Sequence, residues 1–127
     1  MEILLVAEDR LVRDQVKVGL QQFPEFSVTT GEGYAAINEA RQREFDCVFL
    51  GVDFAGTDGF RLLEHIRSFD AEVDVVAITS RDRIRELQAE KSRLNLTAIL
   101  GTPIDASEFF RLVGMLRSRR LESKTAR

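Results

Sequence analysis

Two adjacent carboxylates, Glu8 and Asp9, come directly after the first apolar run of the chain. Adjacent carboxylates repel each other unless a cation, a basic side chain or hydrogen bonds compensate their charge. Because hard cations prefer oxygen ligands, one interpretation of this pair is a magnesium site. In the other interpretation the pair is a charged loop, in which Asp9 caps the first helix and interacts with its N-terminal dipole.

Hydroxyl and glycine residues lie at the ends of the later apolar runs. Gly51 follows the third run, Thr79 the fourth, and Thr102 comes after the fifth, just before Pro103. Thr79 could belong to a polar site or cap the helix that follows, and the two roles are compatible. The chain contains no Walker lysine, no nucleophile elbow and no glycine-rich dinucleotide motif. We therefore expect a protein that is not an enzyme.

The single histidine and the single cysteine carry no metal or catalytic signal. His65 has no second histidine or cysteine at ligand spacing, so we expect an exposed helix residue. Cys47 lies in an apolar run, and we expect an inert core residue. One cysteine cannot form an intrachain disulfide, which favours a reducing compartment and predicts a cytoplasmic protein.

The size and composition are those of one globular domain. The chain has 127 residues, of which 44% are hydrophobic and 31% charged, and its net charge is -3. The negative charge argues against a general nucleic-acid surface. No apolar run approaches membrane-spanning length, and we expect neither a secretion signal nor membrane association. Residues 119–127 are basic and polar, which predicts a tail, a linker or a frayed helix end after a domain at 1–118.

Five short apolar runs alternate with segments of helical period. Runs that are apolar on successive residues suit strands covered on both faces, whereas residues 26–29 alternate and predict an edge strand. The alternation predicts a (βα)5 doubly wound α/β fold with a five-stranded parallel sheet. Such sheets place their sites at the carboxyl ends of the strands. The predicted strands are Ile3–Ala7, Phe26–Thr29, Cys47–Leu50, Val73–Ile78 and Thr97–Leu100.

The helical segments have equally plain signals. Val12, Val16 and Leu20 recur at helical spacing, and further helices are predicted over residues 34–43 and 60–69. Apolar residues at 84, 87 and 94 predict a fourth helix with only a narrow apolar stripe among many charges. Asp105 is the predicted N-cap of the last helix, with Glu108 at the capping-box position.

The order of these features resembles the receiver domain of bacterial response regulators over residues 1–118. The resemblance rests on the acid pair, the third strand running through a loop to Asp58-Gly59, Thr79 at the end of the fourth strand, and Pro103. It implies a CheY-like sheet in the order 2-1-3-4-5 and a cis peptide bond before Pro103. It also implies a role in two-component signalling.

The same resemblance shows what this chain lacks. Gly51 stands at the position of the phosphoryl-accepting aspartate, Thr102 at that of the lysine, and Ile99 at that of the switching aromatic residue, while Thr79 keeps the hydroxyl switch. The resemblance therefore implies a degenerate, phosphorylation-independent pseudo-receiver that requires no cofactor. Without the lysine the acid pair lacks its usual base, and we expect Arg10 or Arg81 to pair with Glu8 or Asp9.

Asp53 leaves two alternatives open. It follows Gly51 by two residues, so a continued strand would place both residues on the same side of the sheet. Asp53 could then be a displaced phosphoryl acceptor in a magnesium-dependent regulator. The interval from Gly51 to the Asp58-Gly59 turn matches the family and argues against that choice. Because the family contributes a backbone carbonyl to magnesium at this position, the resemblance implies a weak or vestigial site at Glu8, Asp9 and Asp53. A flavodoxin-like ligand binder is a third alternative, although the acid pair would repel its phosphate.

A protein partner or a second copy of the chain is the implied ligand. In the family, the usual working surface combines the fourth helix, the fifth strand and the fifth helix. One aromatic residue of this region, Phe110, could instead be packed in the hydrophobic core. The resemblance maps the surface onto Ile84, Leu87, Ile99, Phe110 and Arg111, with Arg83 among the nearby charges.

Overall fold

The computed structural model describes residues 1–53 and 59–125, with side chains described as far as Arg119. The loop before Gly59, including Asp58 of the predicted turn, and the last two residues lie outside the described residues, as do the side chains of the polar tail from residue 120. Five parallel strands form one sheet in the order β2-β1-β3-β4-β5, which confirms the predicted fold class and strand order. The strands are β1 Glu2–Val6, β2 Ser27–Gly31, β3 Cys47–Gly51, β4 Asp74–Ser80 and β5 Ala98–Thr102.

Helices follow each strand. The fifth helix continues to Thr125, so the predicted domain boundary at residue 118 falls within a helix. The Asp105 carboxylate accepts a hydrogen bond of 2.9 Å from the Glu108 N–H, which confirms the predicted cap. The helices are α1 Arg10–Gln21, α2 Gly33–Gln42, α3 Gly59–Phe69, a 3-10 turn Arg81–Arg83 running into α4 Ile84–Ala89, and α5 Ala106–Thr125.

The fourth helix is shorter than its apolar residues predict. It ends at Ala89, because the next amides turn back onto carbonyls three residues earlier, and Asn95 takes a left-handed φ of 51°. Asparagine tolerates this conformation better than most residues. Leu94 is nevertheless buried, from the turn that leads into β5 rather than from the helix.

The sheet is covered on both faces. One buried cluster includes Leu4, Leu50 and Leu63, and the other includes Leu5, Phe49 and Val113. Successive residues of one strand thus enter opposite cores, which explains why β1, β3 and β4 contain runs of consecutive apolar residues. β2 is more exposed and forms one edge of the sheet, as predicted. Within the described part of the chain, no helix combines the length and apolar character needed to span a membrane.

Candidate functional site at the carboxyl ends of the strands

A small cleft of about 80 Å³ opens at the carboxyl ends of the central strands. It gathers most of the site residues that the sequence predicts, because parallel strands end at the same edge of the sheet. Six predicted site residues line the cleft, namely Glu8, Asp9, Gly51, Asp53, Thr79 and Thr102. The rest of the lining is apolar and consists of Ala7, Val12 and Ile78.

The Asp53 side chain accepts three hydrogen bonds in this cleft. The Thr79 hydroxyl donates to Asp53 Oδ1 at 2.7 Å, and the Ser80 N–H donates to Oδ2 at 2.8 Å. Arg83 Nη1 donates to Oδ1 at 3.0 Å. The carboxylate is placed there because the Val52 N–H still donates to the Ile78 carbonyl at 2.9 Å, so β3 follows β4 beyond Gly51. Asp53 then lies beside the end of β4.

The bonds to Asp53 differ in strength. Thr79 is only 1% exposed, so its hydroxyl depends on a protein acceptor, and hydrogen bonds to charged groups contribute about 1.5 to 3 kcal/mol. The Asp53 and Arg83 side chains are 39% and 41% exposed, and ion pairs of that exposure contribute about 0 to 1 kcal/mol. The hydrogen bond to Glu86, with the Asp53 charge as a further contribution, raises the pKa of Arg83. Thr79 therefore fixes Asp53 more firmly than Arg83 does.

The acid pair contributes a helix cap. Asp9 Oδ1 accepts hydrogen bonds from the Leu11 and Val12 amides at 2.9 and 3.2 Å, as the capping interpretation predicts. The expected pairing of Arg81 with the acid pair is wrong. Arg81 instead donates to the Pro103 carbonyl at 3.0 Å and contacts Glu108 at 3.4 Å, because it starts the 3-10 turn on the α5 side of β4.

Glu8, Asp9 and Asp53 remain the predicted magnesium ligands. The structure brings all three to one cleft, but no group of three or more His, Cys, Asp or Glu side chains converges for a metal within residues 1–53 and 59–119. Asp9 Oδ1 is engaged by the helix cap and both Asp53 oxygens accept hydrogen bonds. A cation would have to compete with these donors.

Gly51 leaves its position without a side chain, and the space there is tight. A Cβ at Gly51 would lie 3.3 Å from the Ala7 Cβ and 3.7 Å from the Val6 carbonyl oxygen. Thr102, which the resemblance maps to the lysine position, ends β5 with an uncharged side chain, and the peptide bond to Pro103 is cis as the resemblance implies. The cation beside Asp53 is Arg83, which the sequence places only among nearby surface charges. Its position one turn after the end of β4 was the available signal.

The five residues predicted for an interaction surface do not share one face. Ile84, Ile99 and Arg111 line a groove of about 370 Å³ between α4, β5 and α5. Leu87 is 1% exposed because it is the inward face of α4, and it cannot reach a partner in this conformation. Phe110 is 46% exposed, so it is not a core residue, but it lines a separate groove between α1 and α5.

Two other residues lie outside the cleft. Cys47 is buried in β3, and burial raises the pKa of its thiol well above the ordinary value, in line with the predicted inert core residue. His65 is half-buried rather than exposed. Its ring packs edge-on against Tyr34 and Phe69, with centroids 5.6 and 5.7 Å apart, because α3 lies beside α2.

Comparisons with known proteins agree with this geometry. Residues 3–113 match the family described as the response regulator receiver domain. The transcriptional regulatory protein QseB of Haemophilus influenzae is 33% identical over 90 residues, which are 68% of this chain and 39% of that protein. The sensor protein GacS of Pseudomonas syringae pv. syringae is 37% identical over 59 residues, 42% of this chain and 6% of that protein. The chain thus spans well under half of these relatives.

Solved structures show the same fold at low identity. The REC domain of AraT, a response regulator from Geobacillus stearothermophilus, has a TM-score of 0.82 at 19% identity, with 97% of each chain covered. The chemotaxis protein CheY4 of Vibrio cholerae has a TM-score of 0.76 at 20% identity, covering 91% of this chain and 97% of that one.

Proposed function

The chain belongs to the response regulator receiver domain family of bacterial two-component signalling, and we propose that it acts there without phosphorylation, as a protein-interaction module. The observation that carries this proposal is the engagement of the Thr79 hydroxyl by Asp53, at 2.7 Å, beside a glycine at the acceptor position. In the family this hydroxyl reports a phosphoryl group. Here it already holds a carboxylate of the same chain, and the module catalyses no reaction.

The strongest competing function is phosphoryl transfer to Asp53. A phosphoryl group on either oxygen would need space between Asp53 and its donors. Those donors lie only 2.7 to 3.0 Å from the carboxylate, which is direct hydrogen-bond contact. Phosphorylation would therefore require Thr79 and Arg83 to withdraw from Oδ1, or Ser80 to withdraw from Oδ2. This crowding favours a structural role for Asp53.

Incubation with magnesium and acetyl phosphate, followed by intact-mass measurement and peptide mapping, separates these functions. We expect no stable phosphoryl adduct on the wild-type protein. Asp53→Asn is the matched control, because it keeps the side-chain shape and removes the nucleophilic carboxylate. A label on the wild-type protein that maps to Asp53 and is absent from Asp53→Asn would establish the competing function.

A flavodoxin-like ligand site has less support. Pockets for drug-sized ligands and cofactors enclose about 300 to 1,000 Å³. The cleft at the strand ends holds only about 80 Å³ and is lined by Glu8 and Asp9, which disfavour a phosphate. Purified protein should therefore show no flavin absorbance, and a yellow protein would revive this alternative.

The proposed interaction surface is the groove between α4, β5 and α5. Ile84 and Ile99 supply apolar surface, while Arg111 and the Arg81–Glu108 ion pair supply charge at the same groove. An apolar centre with charged neighbours is typical of protein interfaces. The partner is either a second copy of the chain or another signalling protein.

Glutamate substitutions in the groove test this surface. Co-purification identifies a partner, and sedimentation velocity detects a homodimer. We expect Ile84→Glu and Arg111→Glu to abolish that association while circular dichroism shows an intact fold. Val18→Glu is the control, because Val18 is exposed in the separate groove between α1 and α5. Unchanged association in both groove variants would remove this surface from consideration.

A further inference from the structure

We propose that the end of β4 forms an oxyanion site whose permanent ligand is the Asp53 carboxylate of the same chain. The site consists of the Thr79 hydroxyl, the Ser80 N–H and the Arg83 guanidinium, and we call it the Asp53 clamp. The proposal deepens the proposed function and rests on it, because it states how the module is held in one conformation without phosphorylation.

Three donors of different chemistry meet on this one carboxylate. A hydroxyl and a guanidinium contact Oδ1 at 2.7 and 3.0 Å, and a backbone amide contacts Oδ2 at 2.8 Å. An ionised carboxylate only accepts hydrogen bonds, so each donor is matched by an acceptor. The arrangement is complementary to a small oxyanion in general. Asp53 occupies it because β3 follows β4 beyond Gly51.

The donors would persist if the carboxylate were removed. Thr79 is the next-to-last residue of β4 and is almost fully buried, so the strand fixes the position from which its hydroxyl donates. Ser80 and Arg83 are held by the strand end and by the Glu86 ion pair at 3.1 Å. A buried donor without an acceptor is costly, and this cost favours uptake of a free carboxylate of the same chemistry.

The clamp also positions the interaction groove. Ser80 precedes the 3-10 turn and Arg83 is its last residue, and the next residue is Ile84, which begins α4 and lines the groove. Ile84 packs closely on β5, since a Cβ added to Gly101 would lie 2.9 Å from its Cδ1. Asp53 is therefore a positioning residue for Ile84.

Chemical rescue of Asp53→Ala tests the clamp. We expect the Thr79, Ser80 and Ile84 amide resonances to move in the variant. We also expect the Ser80 amide to exchange its hydrogen at least about tenfold faster, the factor that a hydrogen bond to a charged group implies. Added formate should return the amide resonances and the Ser80 exchange rate to their wild-type values in a saturable manner. Chloride at equal ionic strength should not. Asp82→Ala is the matched control, because Asp82 is an exposed acid of the same turn, and it should leave these resonances in place.

Several results would overturn the clamp. One is an unchanged Ser80 amide in Asp53→Ala, and another is a variant that formate does not restore. Inorganic phosphate added to the wild-type protein should move neither Ser80 nor Thr79, and a saturable shift there would show that Asp53 is not the permanent ligand. If Asp53→Ala does not fold, Asp53→Asn and Thr79→Val replace it, and both should accelerate exchange at Ser80.

This test is independent of the labelling experiment. Acetyl phosphate labelling of the wild-type protein would contradict the proposed function whatever formate does. Failed rescue in an unlabelled protein would contradict the clamp alone.

Discussion

Gly59 and Gly51 should respond very differently to the same added methyl group. A Cβ at Gly59 would lie 2.3 Å from the Val52 carbonyl oxygen, 2.5 Å from its Cα and 2.7 Å from its Cβ. The first two atoms belong to the backbone that leads to Asp53 and the third is fixed to it, so none of them can rotate away. The start of α3 would have to move off the sheet by about 1 Å to restore ordinary contact distances.

The cost follows from what α3 buries. Leu62, Leu63 and Ile66 lie in the core and would lose packing as the helix moves. Overpacking of this kind costs about 1 to 3 kcal/mol, and the backbone clash places Gly59→Ala at the upper end, about 2 to 3 kcal/mol. The unfolding entropy of about 2.1 cal/mol/K per residue converts this into a Tm lower by roughly 7 to 11 °C.

Gly51→Ala is the matched control. Its Cβ would be too close to the Ala7 Cβ, at 3.3 Å, whereas the Ala7 Cα at 3.5 Å and the Val6 carbonyl oxygen at 3.7 Å are ordinary contacts, so a shift of a few tenths of an ångström suffices. The loss of unfolded-state freedom contributes about 0.4 to 1 kcal/mol in the opposite direction, and we expect a net change within about 1 kcal/mol. The free energy of unfolding from urea titration, with thermal circular dichroism, measures both variants.

The result also bears on function. A tolerated Gly51→Ala would show that the fold does not require glycine there, so the absence of a side chain at residue 51 is not a steric necessity. A Gly59→Ala variant within 1 kcal/mol of the wild type, or a Gly51→Ala variant destabilised as strongly as Gly59→Ala, would refute the packing argument.

Three further predictions concern other parts of the chain. Arg67 donates to three backbone carbonyls at the end of α3 and before β5, so Arg67→Met should lower the free energy of unfolding by about 1 to 3 kcal/mol. Arg67→Lys should recover only part of that free energy, because an ammonium group lacks the planar set of donors of a guanidinium. Burial raises the pKa of the Cys47 thiol above 9.0, so the thiol ionises at lower pH in the unfolded chain, and the free energy of unfolding should fall as pH rises above about 9. Cys47→Ala should remove this pH dependence in urea titrations. An unchanged pH dependence would contradict the role of Cys47. Asp9→Ala should cost about 1 kcal/mol through the lost cap, whereas Asp9→Asn should retain it. If magnesium stabilises the protein in thermal unfolding, Asp9→Asn should abolish that effect, and a retained effect would exclude Asp9 as a ligand.

The elements of the fold were predictable because their signals are local. Runs that are apolar at every position indicate strands between two layers, and the Asp9 and Asp105 caps are recognisable within a few residues of sequence. The shared edge of the strand ends follows from parallel pairing alone. The sequence therefore predicts a site at this edge of the sheet and six of the residues that line the cleft.

Side-chain direction in the fourth helix was not predictable. α4 has only six residues and many charges, so its apolar period is too short to show which face turns inward. Leu87 is buried and Leu94 lies beyond the end of α4. In α5, Phe110 faces the groove with α1 instead of the groove with α4. Only the packing of α4 against β5 selects the exposed residues.

By itself the sequence determined the sheet, its site edge and the residue types at that edge, since these depend on residue type and on local period. Only the tertiary structure decided what Asp53 does. Its partners lie 26 to 30 residues further along the chain. They reach it because β3 follows β4 one residue past Gly51. No local pattern encodes that register, which arises from the close packing of the two buried strands and of Gly59 on Val52.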